Sequence, residues 1–422
     1  MPSETRSGSR RAIIAAVLGN ILEWYDFAVY GFMATILAGH FFPANDEVTS
    51  LLATFAAFGV GFAARPLGGV IIGRLADRRG RKFALLVTIY LMAFGTVMIG
   101  LTPTYSSIGY LAPALIVLAR LIQGFSAGGE WGGSTAFMVE WAANNRRGFV
   151  GSFQQVSVAA GLLLGSGCAA LLSTILSEDA VTAWGWRVPF LLGSIIGLVG
   201  IYMRRNVGET PVFRRTTKAD RSKTTTKRKS IGLATRAFGF TIHWTVSYYI
   251  FLAYMPTFAI RHLEIDRAVA LWSNTVGLLV LIVITPMIGL WSDRIGRKKL
   301  LIASCLAIGI VVYPVFNYLL ANPSIAAIIS AQALFGFLIA LYSGPGPAAI
   351  AEIFETANRA TGMSVGYSLA VAVFGGFAPF IATWLIDTTG SPLSPAYYVL
   401  VAAVITAFVV FRLPESAHRP FR

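Results

Sequence analysis

The sequence predicts an all-α integral membrane protein with twelve transmembrane helices in two six-helix, pseudo-symmetric bundles. Three observations lead to this fold class. The chain of 422 residues is 56% hydrophobic and only 13% charged, whereas a soluble domain has about 45–50% apolar and about 25% charged residues. Apolar runs of about 20 residues, the length that spans a bilayer, recur along the whole chain. A charged ten-residue segment of the first half is echoed in the second half, which indicates a duplicated architecture.

The apolar runs are the predicted membrane spans in chain order. They cover residues 11–37, 48–75, 83–101, 110–139, 147–175, 186–204, 231–260, 267–291, 299–319, 324–353, 358–386 and 395–413. The hydrophilic segment between the sixth and seventh runs is basic and rich in Thr, as expected for a linker. We therefore predict an N-terminal six-helix bundle over residues 1–204, a cytoplasmic linker over 205–230 and a C-terminal six-helix bundle over 231–422.

The net charge of +15 is distributed in a way that predicts topology and not a nucleic-acid partner. Arg187, Arg261 and Arg267 lie on one side of the predicted membrane, and Arg65 and Arg120 lie within spans. The other Lys and Arg residues fall in the N-terminal stub, the even-numbered loops and the C-terminal tail. The positive-inside rule therefore places both termini in the cytoplasm.

The N-terminal stub and the cysteines give no sign of processing or of a metal site. The stub MPSETRSGSRR precedes a span that is too long and too acidic for a cleavable signal peptide, so we expect no processing. Cys168 and Cys305 are isolated, one in each half, and predict neither a disulfide nor a metal site. The sequence has no nucleophile elbow and no phosphate-binding Gly-rich loop, so we expect neither an enzyme nor a cofactor.

The duplicated segment carries a resemblance to a known family. GRLADRRGRK, from Gly73, is echoed by GLWSDRIGRK, which pairs Asp77 with Asp293. The same alignment pairs Arg81 with Arg297. These two G-x-x-x-D-R-x-G-R-[RK] segments resemble the signature of the major facilitator superfamily. The resemblance implies that superfamily's fold, in which two parallel six-helix repeats rock around a central site.

Four further segments resemble the metabolite:proton symporter family within that superfamily. They are GNILEWYDFAVYG, RPLGG, RLIQGFSAGGEWGGS and WGWRVPF, which begin at Gly19, Arg65, Arg120 and Trp184. Members of this family carry citrate, 2-oxoglutarate, shikimate, and proline or glycine betaine. The resemblance implies a multi-pass proton symporter of the cell inner membrane that needs no cofactor and no metal.

The first span contains acidic residues, which are costly inside a membrane. At helical spacing, one polar stripe is formed by Asn20, Glu23, Asp26 and Tyr30, and it is predicted to face the interior of the bundle. A buried carboxylate near an arginine can gain and lose a proton around neutral pH. We therefore predict that Glu23 and Asp26 take part in proton coupling, with Asp26 slightly favoured. The alternative is that one or both acids only neutralise Arg65 or Arg120 as structural ion pairs.

The fourth span has one chemical face and one packing face. Arg120, Gln123 and Glu130 fall within a narrow arc at about 100° per residue. Gly124 and Gly128 line the adjacent face and permit a neighbouring helix to approach closely. The segment also resembles the fourth-helix motif of the superfamily, whose Arg is associated with proton coupling, and we predict that Arg120 and Glu130 serve proton coupling. The alternative is a buried ion pair that only fixes helix packing.

The candidate substrate contacts combine arginines with neutral side chains. A guanidinium binds a carboxylate through two parallel hydrogen bonds, so Arg65 and Arg120 are predicted to hold an anionic group, unless Arg65 snorkels to the cytoplasmic surface. The neutral candidates are Tyr30, Gln123, Gln154, Gln155, His243, Trp244, Tyr248, Tyr249 and Tyr342. Most aromatic residues in spans are packing or interface anchors, and a lone His is more often a satisfied polar residue than a proton relay.

The duplicated loop segments predict gating residues at the cytoplasmic surface. The gating set comprises Gly73, Asp77, Gly80, Arg81, Glu140, Asp293, Arg297 and Glu352. Its aspartates are positioned to cap the N-terminus of a neighbouring helix, and its arginines to pair with its glutamates. By resemblance, these contacts hold the two halves together on the cytoplasmic side in the outward-open state.

We therefore expect a proton symporter that imports a small organic acid by alternating access, a di- or tricarboxylate such as citrate. The segment LYSGPGPAAIAEIF resembles citrate-type members and favours this substrate. The expected partners are the organic acid, protons and the lipid bilayer, and we expect a monomer. The alternative is a proton-coupled proline or glycine betaine symporter, with Trp244, Tyr248 and Tyr249 as an aromatic cage for the cation. A channel would need no paired gating motifs, and the EWYDF segment disfavours an exporter.

Overall fold

The computed structural model describes residues 17, 20–21, 23–79, 81–128, 130–143, 145–193, 227–354 and 359–417. Within these ranges all regular secondary structure is helical. The helices are α1 (residues 23–32), α2 (Ala34–Phe41), α3 (Glu47–Ala63), α4 (Arg65–Arg79), α5 (Arg81–Leu101), α6 (Tyr105–Ile108), α7 (Leu111–Ala127), α8 (Glu130–Trp141), α9 (Arg147–Ile175), α10 (Glu178–Ala180), α11 (residues 187–193), α12 (Lys227–Tyr249), α13 (Met255–His262), α14 (Arg267–Ile295), α15 (Arg297–Ala321), α16 (Ile325–Ser343), α17 (Gly346–Glu352), α18 (Arg359–Ala370), α19 (Ala378–Thr389) and α20 (Ser394–Arg412). Turns of π-helix at Ile250–Tyr254 and Val371–Gly376 join α12 to α13 and α18 to α19.

The predicted spans correspond to these helices. Seven helical stretches in the described part of the chain are long and apolar enough to cross a membrane. The eighth predicted span is α14, and the twelfth is α20. The first span differs from its prediction because, after a turn at Met33, α2 continues to Phe41. The parts of the first and sixth predicted spans that cover residues 11–16 and 194–204 lie outside the described residues.

Two predicted spans are interrupted where proline weakens the helix. α3 ends at Ala63 and α4 restarts at Arg65, with Pro66 in its first turn. α16 ends at Ser343, and α17 restarts after a turn that contains Pro345. Proline lacks the N–H that a helix interior needs, so both helices restart at these points. The first interruption places Arg65 at the beginning of α4.

Helices α3, α4 and α7 cross at glycine contacts. A Cβ atom at Gly124 would lie 1.6 Å from the carbonyl oxygen of Gly61, and one at Gly128 would lie 1.9 Å from the carbonyl oxygen of Arg65. A larger residue at either position would push the backbones apart. The packing face predicted for the fourth span is therefore present. It holds the backbone that carries Arg65 close to the backbone that carries Arg120.

The two halves of the chain meet along the antiparallel helices α9 and α14. Asp293, near the end of α14, accepts hydrogen bonds from the start of α9. Further along the pair, the hydroxyls of Ser166 and Thr275 lie 3.1 Å apart. At the other end Trp272 Nε1 donates to Thr174 Oγ1 at 3.1 Å. We call the end of the bundle where α9 begins and α14 ends the charged end, and the opposite end the far end.

Candidate functional site

Two arginines of the N-terminal half are buried in the interior. Arg65 begins α4 and Arg120 lies within α7. Their exposed fractions are 2% and 0%, so Arg65 does not snorkel to the surface. The glycine contacts between α3, α4 and α7 bring the two guanidinium groups into the same region. Charged groups that are buried this deeply need partners.

Arg65 is held by one carboxylate and by aromatic faces. Its Nη2 lies 3.3 Å from Glu23 Oε1. Its Cζ lies 5.3, 4.8 and 4.4 Å from the ring centroids of Trp24, Phe27 and Phe62. These distances are typical of cation–π contacts, which strengthen when the cation is desolvated. The acidic residue and two of the rings come from α1, so the first span supplies most of the surroundings of Arg65.

Arg120 also lies among aromatic rings, and it shares one of them with Arg65. Its Cζ is 4.4, 4.6 and 5.1 Å from the ring centroids of Phe27, Tyr30 and Phe58. Phe27 therefore lies between the two guanidinium groups, and its ring contacts both cations. Stacking of this kind restricts the orientation of each guanidinium and leaves its N–H edge available for hydrogen bonds.

A chain of hydrogen bonds links Arg120 to Asp26. Arg120 Nη1 donates to Gln123 Oε1 at 2.8 Å, and Gln123 Nε2 donates to Thr96 Oγ1 at 2.9 Å. Thr96 Oγ1 lies 2.5 Å from Asp26 Oδ2. These side chains come from α7, α5 and α1, and all are buried. The second acidic residue of the first span is thus connected to the second arginine across three helices.

Several buried donors in this region have no acceptor among the residues that the structure describes. They are Arg65 Nε, Arg120 Nε and Nη2, Trp24 Nε1, Trp131 Nε1, Gln154 Nε2 and the hydroxyls of Tyr248 and Tyr249. A buried donor that stays unsatisfied costs about 1–3 kcal/mol. A group of such donors is therefore typical of a site that a ligand or water completes.

Tyr249 brings the C-terminal half to this site. It ends α12, and its ring centroid lies 5.3 Å from that of Phe62 and 6.2 Å from those of Phe58 and Trp24. The same three rings flank the arginines. We call Arg65, Arg120, Glu23, Asp26 and the rings around them the central site. It lies between the two halves, so a relative movement of the halves would change it.

A second aromatic contact joins the halves through α8 and α18. Trp131 stacks on Tyr367 with ring centroids 3.4 Å apart and ring planes 1° from parallel. Trp244 of α12 lies 6.3 Å from Trp131 and 6.1 Å from Tyr367. Tyr367 is also close enough to Arg65 to interact with it electrostatically. These rings extend the central site toward α8, α12 and α18.

The polar atoms of several other predicted contacts are already bonded within their own half. Tyr30 donates to the Thr54 carbonyl at 3.1 Å, Tyr342 to the Phe240 carbonyl at 2.6 Å, and Trp244 Nε1 to Ser343 Oγ at 3.0 Å. Gln155 Nε2 donates to Gln154 Oε1 at 2.5 Å, and His243 Nδ1 lies 3.2 Å from Ser247 Oγ. These hydrogen bonds support packing. The aromatic residues of this group therefore offer a ligand their ring faces more readily than hydrogen bonds.

At the charged end, second-half members of the gating set join the two halves. Asp293 Oδ1 and Oδ2 accept hydrogen bonds of 2.8 and 2.9 Å from the backbone N–H groups of Gly148 and Phe149. These N–H groups belong to the first turn of α9, so the carboxylate meets the positive end of the helix dipole. Arg297 lies 2.7 Å from Asp293 and 3.3 Å from Glu352.

Further contacts complete this network, which we call the latch and define as Arg147, Asp293, Arg297 and Glu352. Arg147, at the start of α9, lies 3.8 Å from Glu352. Ser416 Oγ donates to Glu352 Oε2 at 2.6 Å. Glu415 accepts 3.0 Å hydrogen bonds from the backbone N–H groups of Arg297 and Lys298. The segment after α20 therefore packs against the latch and caps the start of α15.

Contacts at the far end close the central site from the other side. Arg261 Nη2 of α13 lies 3.0 Å from Glu47 Oε2 of α3. Arg267 Nη1 donates to Thr35 Oγ1 at 3.0 Å. Both contacts join the halves, as the latch does at the charged end. The arginines of the central site are thus enclosed on both sides in this conformation.

Other members of the predicted sites lie outside the described part of the chain. The side chains of Asp77, Arg81, Glu130 and Glu140 are among them, as is Gly80 as a whole. Gly73 lies within α4. Among the described residues no group of three or more His, Cys, Asp or Glu is placed to hold a metal ion.

No sequence pattern singled out Thr96, Trp131 or Tyr367. A Thr within an apolar helix usually bonds the carbonyl four residues earlier, so an isolated Thr carries no signal of its own. Trp131 and Tyr367 are distant in sequence and meet only because α8 packs on α18. The phenylalanines that surround the arginines, Phe27, Phe58 and Phe62, were equally hidden, because phenylalanine in a span is ordinarily packing.

Family models match the chain in both halves. A model described as "Sugar (and other) transporter" matches residues 12–238, and one described as "Major Facilitator Superfamily" matches residues 237–422. The chain belongs to the major facilitator superfamily. It is a multi-pass membrane transporter and not an enzyme, as the duplicated loop segments predicted.

Curated relatives of this superfamily member match it nearly end to end. The glycine betaine/proline/ectoine/pipecolic acid transporter OusA of Dickeya dadantii is 35% identical over 98% of this chain and 85% of its own length. The proline/betaine transporter of Escherichia coli is 34% identical over the same shares. A solved structure of the E. coli xylose transporter XylE, partially occluded and inward open, has a TM-score of 0.77 at 18% identity and covers 98% of this chain and 100% of its own. This last likeness confirms the predicted all-helical fold of two six-helix bundles.

The expectation of a citrate-type carrier was wrong. The relatives over most of the chain are proline and betaine transporters. The central site explains why the arginines misled the prediction. Glu23 lies 3.3 Å from Arg65, and Asp26 is linked to Arg120, so each arginine that suggested a polyanionic substrate already has an acidic partner within the protein.

Proposed function

We propose that the chain is a proton-coupled symporter that imports a small zwitterion of the glycine betaine and proline type by alternating access. The curated relatives transport such compounds and match almost the whole chain, which supports the substrate class. The buried carboxylates of the first span support proton coupling, since an ionisable group inside a membrane is by default a functional group.

The charge balance of the central site carries the substrate assignment. Arg65 and Arg120 contribute two positive charges, and Glu23 and Asp26 contribute two negative charges when both are ionised. The net charge of this buried site is zero, or +1 when Asp26 carries the transported proton. It disfavours a di- or trianion in either state, because at least one added negative charge would remain uncompensated. A zwitterion adds no net charge, and each of its ends finds a complementary group.

The carboxylate of the zwitterion is assigned to the arginines. Arg65 Nε and Arg120 Nε and Nη2 are the donors that lack an acceptor among the described residues. A guanidinium presents such donors in a fixed fork that matches a carboxylate. Binding would satisfy these groups without breaking the ion pair of Arg65 with Glu23.

The ammonium end is assigned to the aromatic faces between the halves. A quaternary ammonium has no N–H, so ring faces are its natural partners. Tyr249 lies beside the rings that flank Arg65, and the stacked pair of Trp131 and Tyr367 lies beside Trp244. Because these rings come from both halves, binding of the cation draws the halves together.

We assign the transported proton to Asp26. Glu23 already compensates Arg65 as an ion pair, whereas Asp26 accepts its hydrogen bond from a neutral hydroxyl. The latch is proposed to open and close the charged end during alternating access. The positive-inside rule places this end, and both termini, on the cytoplasmic side of a bacterial inner membrane.

The test is uptake of labelled glycine betaine and proline into proteoliposomes. A zwitterion that enters with one proton carries a net charge of +1, so an interior-negative potential drives it. A potential of about 100 mV supplies about 2.3 kcal/mol, which corresponds to an about 40-fold accumulation. We expect accumulation with either an inward proton gradient or an interior-negative potential, and loss of both effects in Asp26→Asn. Citrate is expected neither to accumulate nor to compete.

Two variants of one residue separate the aromatic assignment from general damage. Tyr249→Phe keeps the ring face, and we expect the KM for glycine betaine to stay within about threefold. Tyr249→Leu removes the ring and is expected to raise that KM about 30-fold, since a desolvated cation–π contact is worth about 2 kcal/mol. Citrate accumulation, or uptake that ignores both gradients, would refute the proposed function.

A further inference from the structure

The hydrogen bonds between Arg120 and Asp26 have a forced polarity. A guanidinium only donates, so Gln123 must turn its Oε1 toward Arg120. The amide N–H₂ of Gln123 then faces Thr96, and Thr96 Oγ1 must accept that bond at 2.9 Å. Thr96 therefore uses one lone pair on Gln123, whatever the state of Asp26.

Thr96 has one hydroxyl hydrogen and two acceptors within reach. Asp26 Oδ2 lies 2.5 Å from its Oγ1, and the Met92 carbonyl oxygen lies 3.0 Å from it. A hydroxyl donates one bond and accepts two, so it cannot serve both acceptors at once. The choice depends on whether Asp26 accepts or donates.

We propose that Thr96 is the positioning residue that transmits the protonation state of Asp26 to Arg120. When Asp26 is ionised, Thr96 donates to Oδ2. When Asp26 takes up a proton on that oxygen, the new O–H donates to Thr96 Oγ1, and the Thr96 hydroxyl rotates to the Met92 carbonyl. No covalent bond of Thr96 breaks, and the transported proton stays on Asp26. The inference rests on the proposed proton coupling and names the residues that connect it to substrate binding.

The two arrangements hold Arg120 differently. A hydroxyl that donates to a carboxylate is a stronger acceptor, because hydrogen bonds in a chain polarise one another. Ionised Asp26 therefore strengthens the bond from Gln123 to Thr96 and, through the amide, the bond from Arg120 to Gln123. Protonated Asp26 uses the second lone pair of Thr96 Oγ1 and leaves the hydroxyl to donate to a neutral carbonyl, so the oxygen is a weaker acceptor for Gln123 and the chain is weaker. The guanidinium is then freer to bind a substrate carboxylate, so proton binding favours substrate binding, as symport requires.

Beside the direct electrostatic attraction between Asp26 and Arg120, this connection is the hydrogen-bonded route between them in the described part of the chain. The titratable groups that face Asp26 in the described part of the chain are Arg120 of α7 and Tyr25 of its own helix. Tyr25 donates to the Pro189 carbonyl at 2.8 Å and is engaged there. On the remaining sides, α5 presents Thr96 and α11 presents Gly193, where a Cβ atom would lie 2.7 Å from Asp26 Oδ1.

The test compares coupled and uncoupled transport in the same proteoliposomes. Exchange of labelled for unlabelled glycine betaine at equal pH on both sides needs no net proton movement, whereas accumulation against a gradient does. For Thr96→Val, which keeps the shape and removes the hydroxyl, we expect accumulation to fall about 10-fold or more and exchange to fall less than about threefold. The midpoint of the pH dependence of uptake should shift by about one unit to higher pH, because the ionised carboxylate loses a donor. Thr96→Ser should restore both.

Thr241→Val is the matched control. Thr241 is also fully buried and bonds the carbonyl four residues earlier, that of Ala237, at 2.8 Å, but no carboxylate bonds to it in the described structure. This variant should accumulate glycine betaine like the wild type. Equal coupling in Thr96→Val and the wild type would overturn the inference, as would equal losses in Thr96→Val and Thr241→Val.

A second pair of variants decides the case in which Thr96→Val neither exchanges nor accumulates. Thr96→Ser and Thr96→Cys differ by one atom, since the first keeps a strong donor and the second has a weak one. Coupling that is retained in the serine variant and reduced in the cysteine variant supports the inference, and equal coupling refutes it. Failure of the wild type to accumulate glycine betaine with a proton gradient would instead refute the proposed function, so the two failures are distinguishable.

Discussion

Two places in the molecule bury the same residue types, two arginines with two carboxylates, and use them differently. The central set is Arg65, Arg120, Glu23 and Asp26, and the latch is Arg147, Arg297, Asp293 and Glu352. In the latch every carboxylate oxygen has a donor. Asp293 accepts from the start of α9 and from Arg297, and Glu352 accepts from Arg297 and from Ser416. The carboxylates of the latch are therefore saturated by donors of the protein itself.

In the central set some arginine N–H donors have no acceptor among the described residues. Arg65 and Arg120 retain N–H groups without an acceptor in the described structure, although their charges are balanced by nearby acids. Charge balance and hydrogen-bond balance are thus separate properties. The arginine N–H groups that lack an acceptor are the groups available to a ligand. Two arginines with one Asp and one Glu close the protein where each carboxylate oxygen is used by a protein donor. We propose that the same set forms a binding site where arginine donors are left without an acceptor.

The largest effect is expected for the central arginine that has two unpartnered donor atoms. Arg120→Lys keeps the charge but loses the planar fork, so a substrate carboxylate loses its two parallel hydrogen bonds. We expect kcat/KM for glycine betaine uptake to fall about 100-fold, the loss of a bidentate charged contact of about 3 kcal/mol. Arg412→Lys is the control, since Arg412 also packs on a ring, that of Phe408 at 3.9 Å, but at the exposed end of α20. Similar uptake by both variants would contradict the role of the fork.

Loss of a charge in the latch should lower Vmax and leave KM nearly unchanged. Asp293→Asn leaves Arg297 with a weaker partner and gives the start of α9 only one good acceptor. Breaking a buried ion pair costs about 3–5 kcal/mol, which would shift the protein toward states open at the charged end. We expect Vmax for uptake to fall about 10-fold or more, while KM changes less than about threefold, because the latch does not contact the central site.

A second capping aspartate provides the control for the latch. Asp266 Oδ1 accepts from the backbone N–H groups of Ala268 and Val269 at 2.8 and 3.2 Å, but it caps its own helix at the far end. Asp266→Asn should cost about 1 kcal/mol of stability or less and leave Vmax nearly unchanged. Equal falls in Vmax for both variants would show that any capping aspartate matters and that the latch has no special role.

Much of this fold was readable from the sequence, because the signals are local. Apolar runs of bilayer length gave the helices, and small residues at one spacing gave the packing face where Gly124 meets Gly61. The duplicated segment predicted that Asp293 caps the N-terminus of a neighbouring helix, and it does so at the start of α9. Each of these signals depends on a periodicity or a motif within a short stretch of chain.

The substrate was not readable in the same way, because it depends on pairings between distant residues. Arg65 and Arg120 suggested a polyanion until Glu23 was placed against Arg65. Thr96 became meaningful only when α5 brought it between Asp26 and Gln123. A sequence shows which residues are charged but not which of them lie together in the fold. The net charge of a buried site depends on the residues that lie together.

The smallest effect is expected for a substitution of Glu415, in the segment after α20 that packs on the latch. Burial raises the pKa of the Glu415 carboxyl, but backbone N–H groups of Arg297, Ala417, Lys298 and Ser416 donate to it and hold its pKa below the usual value. A lowered folded-state pKa means that the stabilisation is complete above the ordinary Glu pKa of about 4.3. It is lost only as the pH falls through the lower folded-state value.

Tail packing should therefore be constant from about pH 8 to about pH 5, and Glu415→Gln should weaken it throughout that window. A half-exposed carboxylate at a helix start is worth about 1 kcal/mol or less, so we expect the Tm of the purified protein to fall by about 1–2 °C at pH 7. Below about pH 4 the difference from the wild type should shrink. Glu47→Gln is the control, because the exposed pair of Glu47 with Arg261 contributes little. A Tm difference that persists unchanged at low pH would show that the side chain acts through packing and that its charge is irrelevant to the latch.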